Sequence, residues 1–96
     1  MRFDWDPRKD AANQRKHGLR FEDASALFTS GVEYLEIFDE AHSTTEDRFI
    51  AVGPVARGVI VVVFTEQIAD TIRIISARPA TAREIDLYHE HMEAQR

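Results

Sequence analysis

The sequence has no cysteine, which excludes disulfides, thiolate nucleophiles and thiolate metal ligands. Its absence also suits a reducing compartment. Long hydrophobic runs are missing as well: the longest, residues 59–64, is far too short to span a membrane. No apolar run follows the first six residues, so the N-terminus does not resemble a signal peptide. We therefore expect a cytoplasmic protein without a membrane partner.

Several catalytic motifs are missing too. No glycine-rich phosphate loop is present, and none of the four serines lies in a Gly-x-Ser-x-Gly elbow. The histidines are His17, His42, His89 and His91, and they form no His-x-x-x-His pair. His89 and His91 would point to nearly opposite sides of a helix, so they cannot chelate one ion. We expect no metal site and no cofactor.

Charge is distributed unevenly along the 96 residues, which carry a net charge of −5. Residues 21–47 contain eight acidic and no basic side chains, whereas residues 1–20 and 48–83 each have a net charge of +3. The acidic total argues mildly against non-specific nucleic-acid binding, because phosphate contact needs basic surface. The two basic blocks could still form one patch in the fold. The length and composition predict a single domain over residues 1–96.

Two helices are predicted at the N-terminal end. Asp6 can cap the first, and Pro7 suits its first position because the missing N–H would be unpaired there. This helix should end near Lys16 or His17, before the left-handed residue Gly18. A second short helix follows over roughly residues 21–28, where apolar residues recur at helical spacing.

A run of strands follows. Alternation predicts a strand over residues 32–38, a polar loop over 39–45, and a strand over 48–52 that ends at a Gly53-Pro54 turn. Residues 59–64 are apolar throughout and read as a central strand covered on both faces. After a loop at 66–69, the next strand begins near Thr71 and closes at Pro79.

A last helix is predicted from about Ala82 towards Gln95. Thr81 and Glu84 have the N-cap and N3 spacing of a capping box. Ile85, Tyr88 and Met92 share the helix face that should pack on the sheet. The predicted fold class is therefore α+β, with two N-terminal helices, a four-stranded mainly antiparallel sheet and a C-terminal helix.

The corner between the last strand and this helix concentrates arginine. Arg73 lies within the strand, Arg78 at its end and Arg83 in the helix, while Arg48 begins an earlier strand. Guanidinium groups bind phosphate oxygens bidentately and keep their charge at any working pH. The alternative is that they pair with Glu36, Glu66 or Glu84, or simply face water. This corner is the candidate functional centre.

At this point the residues resemble a known family, the BrnT toxins. The resemblance rests on two blocks in the same order and separation. They are Trp5-Asp6, Lys9, Asn13, Lys16-His17-Gly18 and Phe21-Glu22-Asp23-Ala24, then Arg48, Gly53, Arg73-Ile74-Ile75-Ser76-Ala77-Arg78, Ala80-Thr81 and Glu84. It covers nearly the whole chain, from about residue 3 to 88. Pro79 departs from it, since many relatives carry lysine there.

The resemblance implies a toxin of a type II toxin–antitoxin pair with a RelE-like fold. Such toxins are ribonucleases that inhibit translation by cutting RNA. They are neutralised by BrnA, an antitoxin with a ribbon-helix-helix DNA-binding part, so DNA is contacted only through the antitoxin. Toxins of this class are usually basic, whereas this chain has a net charge of −5.

RNA can be cut without metal when its 2′-hydroxyl attacks the neighbouring phosphate. Arg73 and Arg78, helped by Arg48, could stabilise the added negative charge. Glu66, at the end of the central strand, is the candidate base. These four are the candidate catalytic residues of a metal-independent endoribonuclease.

RNA binding is expected to involve Lys16, His17, Arg83 and Tyr88. Lys16 and His17 could contact the RNA backbone, and Tyr88 could stack on a base. His17 could instead act as the acid or simply end its helix, and Tyr88 could be a core residue.

Two other functions remain open. The chain could be a non-catalytic binding module that only partners the antitoxin in operon autoregulation, as its acidic charge suggests. It could also be a stand-alone DNA-binding regulator with Gly18 in the turn of a helix-turn-helix. Glu22 and Asp23 oppose that reading, because they lie where base contacts would be needed.

Overall fold

The computed structural model describes residues 1–95, which form three α-helices and a five-stranded mixed sheet. The strands are β1 (Arg2–Asp4), β2 (Leu35–Phe38), β3 (Arg48–Val55), β4 (Gly58–Gln67) and β5 (Thr71–Pro79). The helices are α1 (Pro7–His17), α2 (Phe21–Thr29) and α3 (Ala82–Ala94), with a 3-10 turn at Glu40–His42. The α+β class and the three helices are as predicted.

The sheet has the order β1-β5-β4-β3-β2. β4 lies at its centre, as the apolar run predicts, and its pairings with β3 and β5 are antiparallel. The predicted four strands were one too few, because β1 also joins the sheet by pairing in parallel with β5. Three residues are too short for a period-two pattern to be visible, so only the pairing with β5 reveals this strand.

Gly53-Pro54 was wrongly predicted to be a turn, because both residues lie within β3. The glycine serves close packing instead: a Cβ atom on Gly53 would lie 2.7 Å from Leu27 Cδ1 and 2.8 Å from Tyr34 Cβ. The pairing of β2 with β3 stops at Val52. In the alternating antiparallel pattern the missing N–H of Pro54 faces that unpaired side, so no ladder hydrogen bond is lost.

The main hydrophobic core lies between one face of the sheet and the segment Leu19–Phe28. Leu19, Phe21, Ala24 and Leu27 are buried against this face. The sheet contributes side chains from its three central strands: Ala51, Ile60, Val62, Phe64, Ile72, Ile74 and Ala77. Helix α3 lies against β2 and β3 on the opposite face, because Tyr88 and Met92 adjoin Pro54 there. The sheet is therefore covered differently on its two sides.

A buried polar residue attaches α1 to the sheet. Ala11 and Ala12 are exposed, whereas Asn13 is only 7% exposed. Its Nδ2 donates to the Leu19 carbonyl at 2.9 Å, and its Oδ1 accepts from the Ala77 N–H at 3.1 Å. That N–H lies beyond the pairing with β1 on the outer edge of β5. An amide side chain thus closes the edge where β1 has ended.

We predict that Asn13→Ala destabilises the protein by about 2–4 kcal/mol, because two buried backbone groups lose their partners. Gln14→Ala, at the exposed neighbouring position, is the matched control and should change stability by less than about 0.5 kcal/mol. Urea unfolding followed by circular dichroism measures both. Equal stabilities of the two variants would show that the amide does not attach α1 to the sheet.

Candidate nucleic-acid interface

A β-bulge in β5 places two of the predicted arginines on one face of the sheet. Arg78 follows Arg73 by five positions, so strict alternation would point them to opposite faces. Val63 pairs with Ser76 and Phe64 with Ile74, which leaves Ile75 as an extra residue. Beyond the bulge the alternation is reset. Arg73 and Arg78 therefore both lie on the face opposite the α2 core, which we call the arginine face.

Arg48 lies on this face as well. It pairs with Thr65 of β4, and Thr65 pairs in turn with Arg73 of β5. Directly opposed residues of neighbouring strands project from the same side of the sheet. The two arginines therefore flank a single threonine, with Cα atoms about 10 Å apart across two strand spacings.

Asp4 extends this row to the edge of the sheet. β1 pairs Asp4 with Arg73, and a carboxylate oxygen of Asp4 accepts a hydrogen bond from Arg73 Nη1. Both side chains remain partly exposed. Arg48 forms no ion pair with any residue of the described range 1–95. The row thus contains one arginine that is oriented by a carboxylate and one that has no acidic partner.

Thr65 forms the floor of the row. Its side chain is completely buried, although it lies among polar residues. Gln67 Nε2 donates to Thr65 Oγ1 at 2.8 Å and also approaches Glu46 Oε2 at 3.3 Å. Sequence reasoning missed Thr65 and Asp4. A polar residue directly after the apolar run of β4 was the available signal for Thr65, whereas nothing in the sequence distinguished Asp4 before β1 was known.

Arg78 is held by a different carboxylate. Its two terminal nitrogens donate to the two oxygens of Glu84, each at 2.8 Å. Glu84 also accepts from the Thr81 backbone N–H at 2.8 Å, which completes the predicted capping box of α3. The bidentate bond from Arg78 and these backbone contacts lower the pKa of Glu84 to about 2. The alternative that an arginine pairs with Glu84 thus holds for Arg78.

Glu66 lies away from the arginines. It follows Thr65 directly along β4 and pairs with Ile72, so it projects to the α2 side of the sheet. There it adjoins Tyr34 and Phe64 at the rim of a shallow pocket. Burial and then the charge of Glu66 raise the pKa of Glu36 on the same side. The sheet itself separates this carboxylate from Arg48 and Arg73.

The predicted RNA-binding residues are spread over several elements. Lys16 is exposed and His17 is half-buried at the C-terminal end of α1. Arg83 is exposed in the first turn of α3. Tyr88 is half-buried, and its hydroxyl donates to the Glu33 carbonyl at 3.3 Å. Tyr88 therefore has a packing role between α3 and the segment before β2, and these four residues do not form one cluster with the arginine row.

Apolar side chains lie between the Arg48–Arg73 row and Arg78 on the arginine face. Ile50 and Val63 project from this face and are half-buried. Helix α3 adjoins the far end of the face, near Arg78 and Pro54, and leaves the end with Arg48 and Arg73 uncovered. Cationic groups beside an exposed apolar strip can bind both the phosphates and the bases of a single strand.

Within residues 1–95, no group of three His, Asp or Glu side chains is arranged to hold a metal ion. The histidines are separated among α1, the 3-10 turn and α3. No described helix has the length and apolar character needed to cross a membrane. The arginine face is therefore the most distinctive chemical feature of the described chain.

The chain is similar to known proteins in both sequence and structure. A family model described as "Ribonuclease toxin, BrnT, of type II toxin-antitoxin system" matches residues 5–84. The 1.1 Å crystal structure of the Brucella abortus ribonuclease toxin BrnT is similar, with a TM-score of 0.63 and 29% sequence identity. This similarity covers 84% of the present chain and 97% of that chain. No curated protein matches. The family match includes all four arginines of the candidate site and ends before Tyr88.

The Arg78–Glu84 pair predicts a specific acid sensitivity. Because folding lowers the pKa of Glu84 from 4.5 to about 2, its contribution to stability is fully present above about pH 4.5 and is lost as the pH falls towards 2. The difference in unfolding free energy between wild type and Glu84→Gln should therefore shrink from pH 7 to pH 3. Urea unfolding measures it, with the exposed Glu90→Gln as control. A difference that is constant with pH would contradict the pairing.

Proposed function

Because the chain belongs to the BrnT family of ribonuclease toxins of type II toxin–antitoxin systems, we propose that it is an endoribonuclease whose substrate crosses the arginine face. The observation that carries the proposal is the row in which Arg48 and Arg73 flank Thr65. Two cations on the strands that lie on either side of β4 suit a phosphate group bound between them. The row lies on rigid strands, so its geometry is set before RNA binds.

The proposed reaction is attack of the RNA 2′-hydroxyl on the adjacent phosphorus. The P–O5′ bond breaks, and the products are a 2′,3′-cyclic phosphate and a free 5′-hydroxyl. Negative charge increases on the non-bridging oxygens in the transition state, and Arg48 and Arg73 would stabilise it. Asp4 would keep the Arg73 fork oriented while the other guanidinium nitrogens contact phosphate.

Arg78 is assigned a more distant role. It lies on the same face, four β4 residues from the Arg73 row and about 13 Å along the strand. Its bidentate bond with Glu84 leaves it fixed, so we assign it to a phosphate next to the cleaved one. Arg83 and Lys16, both exposed, would add further phosphate contacts. His17, half-buried at the end of α1, would contact the RNA backbone beside Lys16.

Glu66 is not the general base in the proposed mechanism. Its position on the α2 side of the sheet gives it no path to a 2′-hydroxyl held by Arg48 and Arg73. We therefore propose that positioning and charge stabilisation account for most of the catalysis, without Glu66 as general base. Tyr88, whose hydroxyl is bonded to the Glu33 carbonyl, supports α3 and does not stack on a base.

In the cell, the proposed consequence is inhibition of translation, reversed by an antitoxin. The family match implies an antitoxin partner. We propose that this partner is a BrnA-like ribbon-helix-helix protein and that the toxin reaches DNA only through it. We also propose that both proteins act in the cytoplasm.

A second candidate function is a non-catalytic module that only partners the antitoxin. Two observations favour it: the net charge is −5, and both Arg73 and Arg78 already have carboxylate partners. Such a protein would retain the fold and the antitoxin interface but would leave RNA intact. Cleavage of RNA by the purified chain decides between the two functions.

We predict that Arg48→Ala and Arg73→Ala each lower the rate of RNA cleavage by about 100-fold to 1000-fold, because each removes a donor to the transition-state charge. Arg57→Ala is the matched control. It removes the same charge at the other end of β3 and β4, about 23 Å away along the strand. Single-turnover cleavage of a labelled RNA by well-folded variants measures the effect. Equal losses in all three variants would point to general electrostatics rather than to this row.

We also predict that cleavage persists in excess EDTA and that Glu66→Gln changes its rate by less than about threefold. The first result follows from a mechanism in which arginines carry the charge stabilisation, and the second from the position of Glu66 behind the sheet. Thin-layer chromatography should detect the cyclic phosphate product. Loss of cleavage in EDTA would refute metal independence, and a large effect of Glu66→Gln would restore it as the base.

A further inference from the structure

No strand formed by residues 1–95 pairs with the outer edge of the sheet at β2. Glu36 and Phe38 pair with Ala51 and Phe49, and the Asp39 N–H donates to the Arg48 carbonyl at 2.8 Å. In an antiparallel ladder, hydrogen-bonded pairs alternate, so Leu35 and Ile37 direct their backbone groups towards β3. The N–H and C=O groups of Glu36 and Phe38 consequently point away from the sheet. An extended chain could add here as a sixth strand.

This edge strand is short and carries Glu36, but it lacks other features that protect edge strands. β2 contains no lysine or proline and no bulge in its pairing with β3. Ile37 and Phe38 are also 41% and 48% exposed, on opposite sides of the strand. The ring of Phe38 contacts that of Phe49 at 5.6 Å between centroids. The edge therefore offers backbone hydrogen bonds and apolar surface together.

The charge around the edge restricts its occupant. β2 lies within residues 21–47, which carry eight acidic and no basic side chains. Glu33 precedes the strand, Glu36 lies within it, and Asp39 and Glu40 follow it. A second copy of this chain paired edge to edge would bring these acids together, which is unfavourable. RNA is repelled for the same reason. A basic polypeptide segment is the complementary partner.

We propose that the antitoxin binds this toxin by adding an extended segment to β2. The segment places Lys or Arg opposite Glu36 and apolar side chains opposite Ile37 and Phe38. The proposal rests on the toxin–antitoxin assignment, because that assignment supplies the partner. Arg48 lies on β3, next to β2 and at the Phe38 end. An added strand would run within about 10 Å of it, so the same contact would restrict RNA access to the arginine row.

The test compares the free toxin with its complex with the antitoxin cloned from the same operon. Hydrogen exchange followed by NMR should show the Glu36 and Phe38 amides slowed at least tenfold in the complex. Phe38→Pro removes one outward N–H without breaking a bond to β3, and Phe38→Ala removes the same ring but keeps the N–H. We expect the proline variant to bind the antitoxin at least tenfold more weakly than the alanine variant, at similar melting temperatures.

A charge variant provides the second measurement. Glu36→Lys should weaken antitoxin binding at least tenfold, whereas Glu90→Lys, on an exposed position of α3, should leave it unchanged. The proposal would be overturned if the antitoxin slowed amide exchange only at other residues and if Phe38→Pro and Glu36→Lys bound the antitoxin as tightly as the wild type does. Self-association of the toxin that Phe38→Pro abolishes would overturn it in favour of a second copy. These are binding measurements, so loss of RNA cleavage in the Arg48 and Arg73 variants tests the catalytic proposal separately.

Discussion

The extra residue in β5 is the constraint on which the candidate site depends. With Ile75 outside the regular pairing, Arg73 and Arg78 share the arginine face although their positions differ by an odd number, five. The same displacement lets both Ile74 and Ala77 reach the core, three residues apart in one strand. In a regular strand, Ile74 and Ala77 would point to opposite faces, so only one of them could pack in the core. The bulge thus fixes the packing of β5 and the placement of its arginines together.

Acidic and basic side chains are concentrated on different surfaces of the sheet. The acidic segment 21–47 contains α2 and the edge strand β2, whereas Arg48, Arg73 and Arg78 lie on the arginine face. A net charge of −5 is therefore compatible with a local cationic row. The proposed antitoxin contact and the proposed RNA contact need surfaces of opposite sign, and the sheet provides them at neighbouring positions.

The errors of the sequence interpretation share a physical origin. β1 forms through pairing with β5, which is distant in sequence, and β3 continues through Gly53-Pro54 because both residues pair with the adjacent strand β4. The local pattern of three residues or of Gly53-Pro54 reports neither pairing. Alternation sends the Glu66 carboxylate, directly after Thr65, to the other face of the sheet, and the end of an apolar run does not by itself show which face that is. No local pattern indicates the role of Asn13, because its two backbone partners come from separate parts of the chain.

Local chemistry was readable from the sequence alone. Asp6 and Pro7 begin α1, Gly18 ends it in a left-handed conformation, and the Thr81–Glu84 capping box begins α3, because these signals act within a few residues. The apolar run that becomes β4 also predicted the central strand of the sheet. Tertiary structure alone decided which side chains share a face, because a single bulge or one added strand changes that outcome without changing any local propensity. The sequence thus determined the elements and the presence of the arginines, and the fold determined that Arg48 and Arg73 flank Thr65.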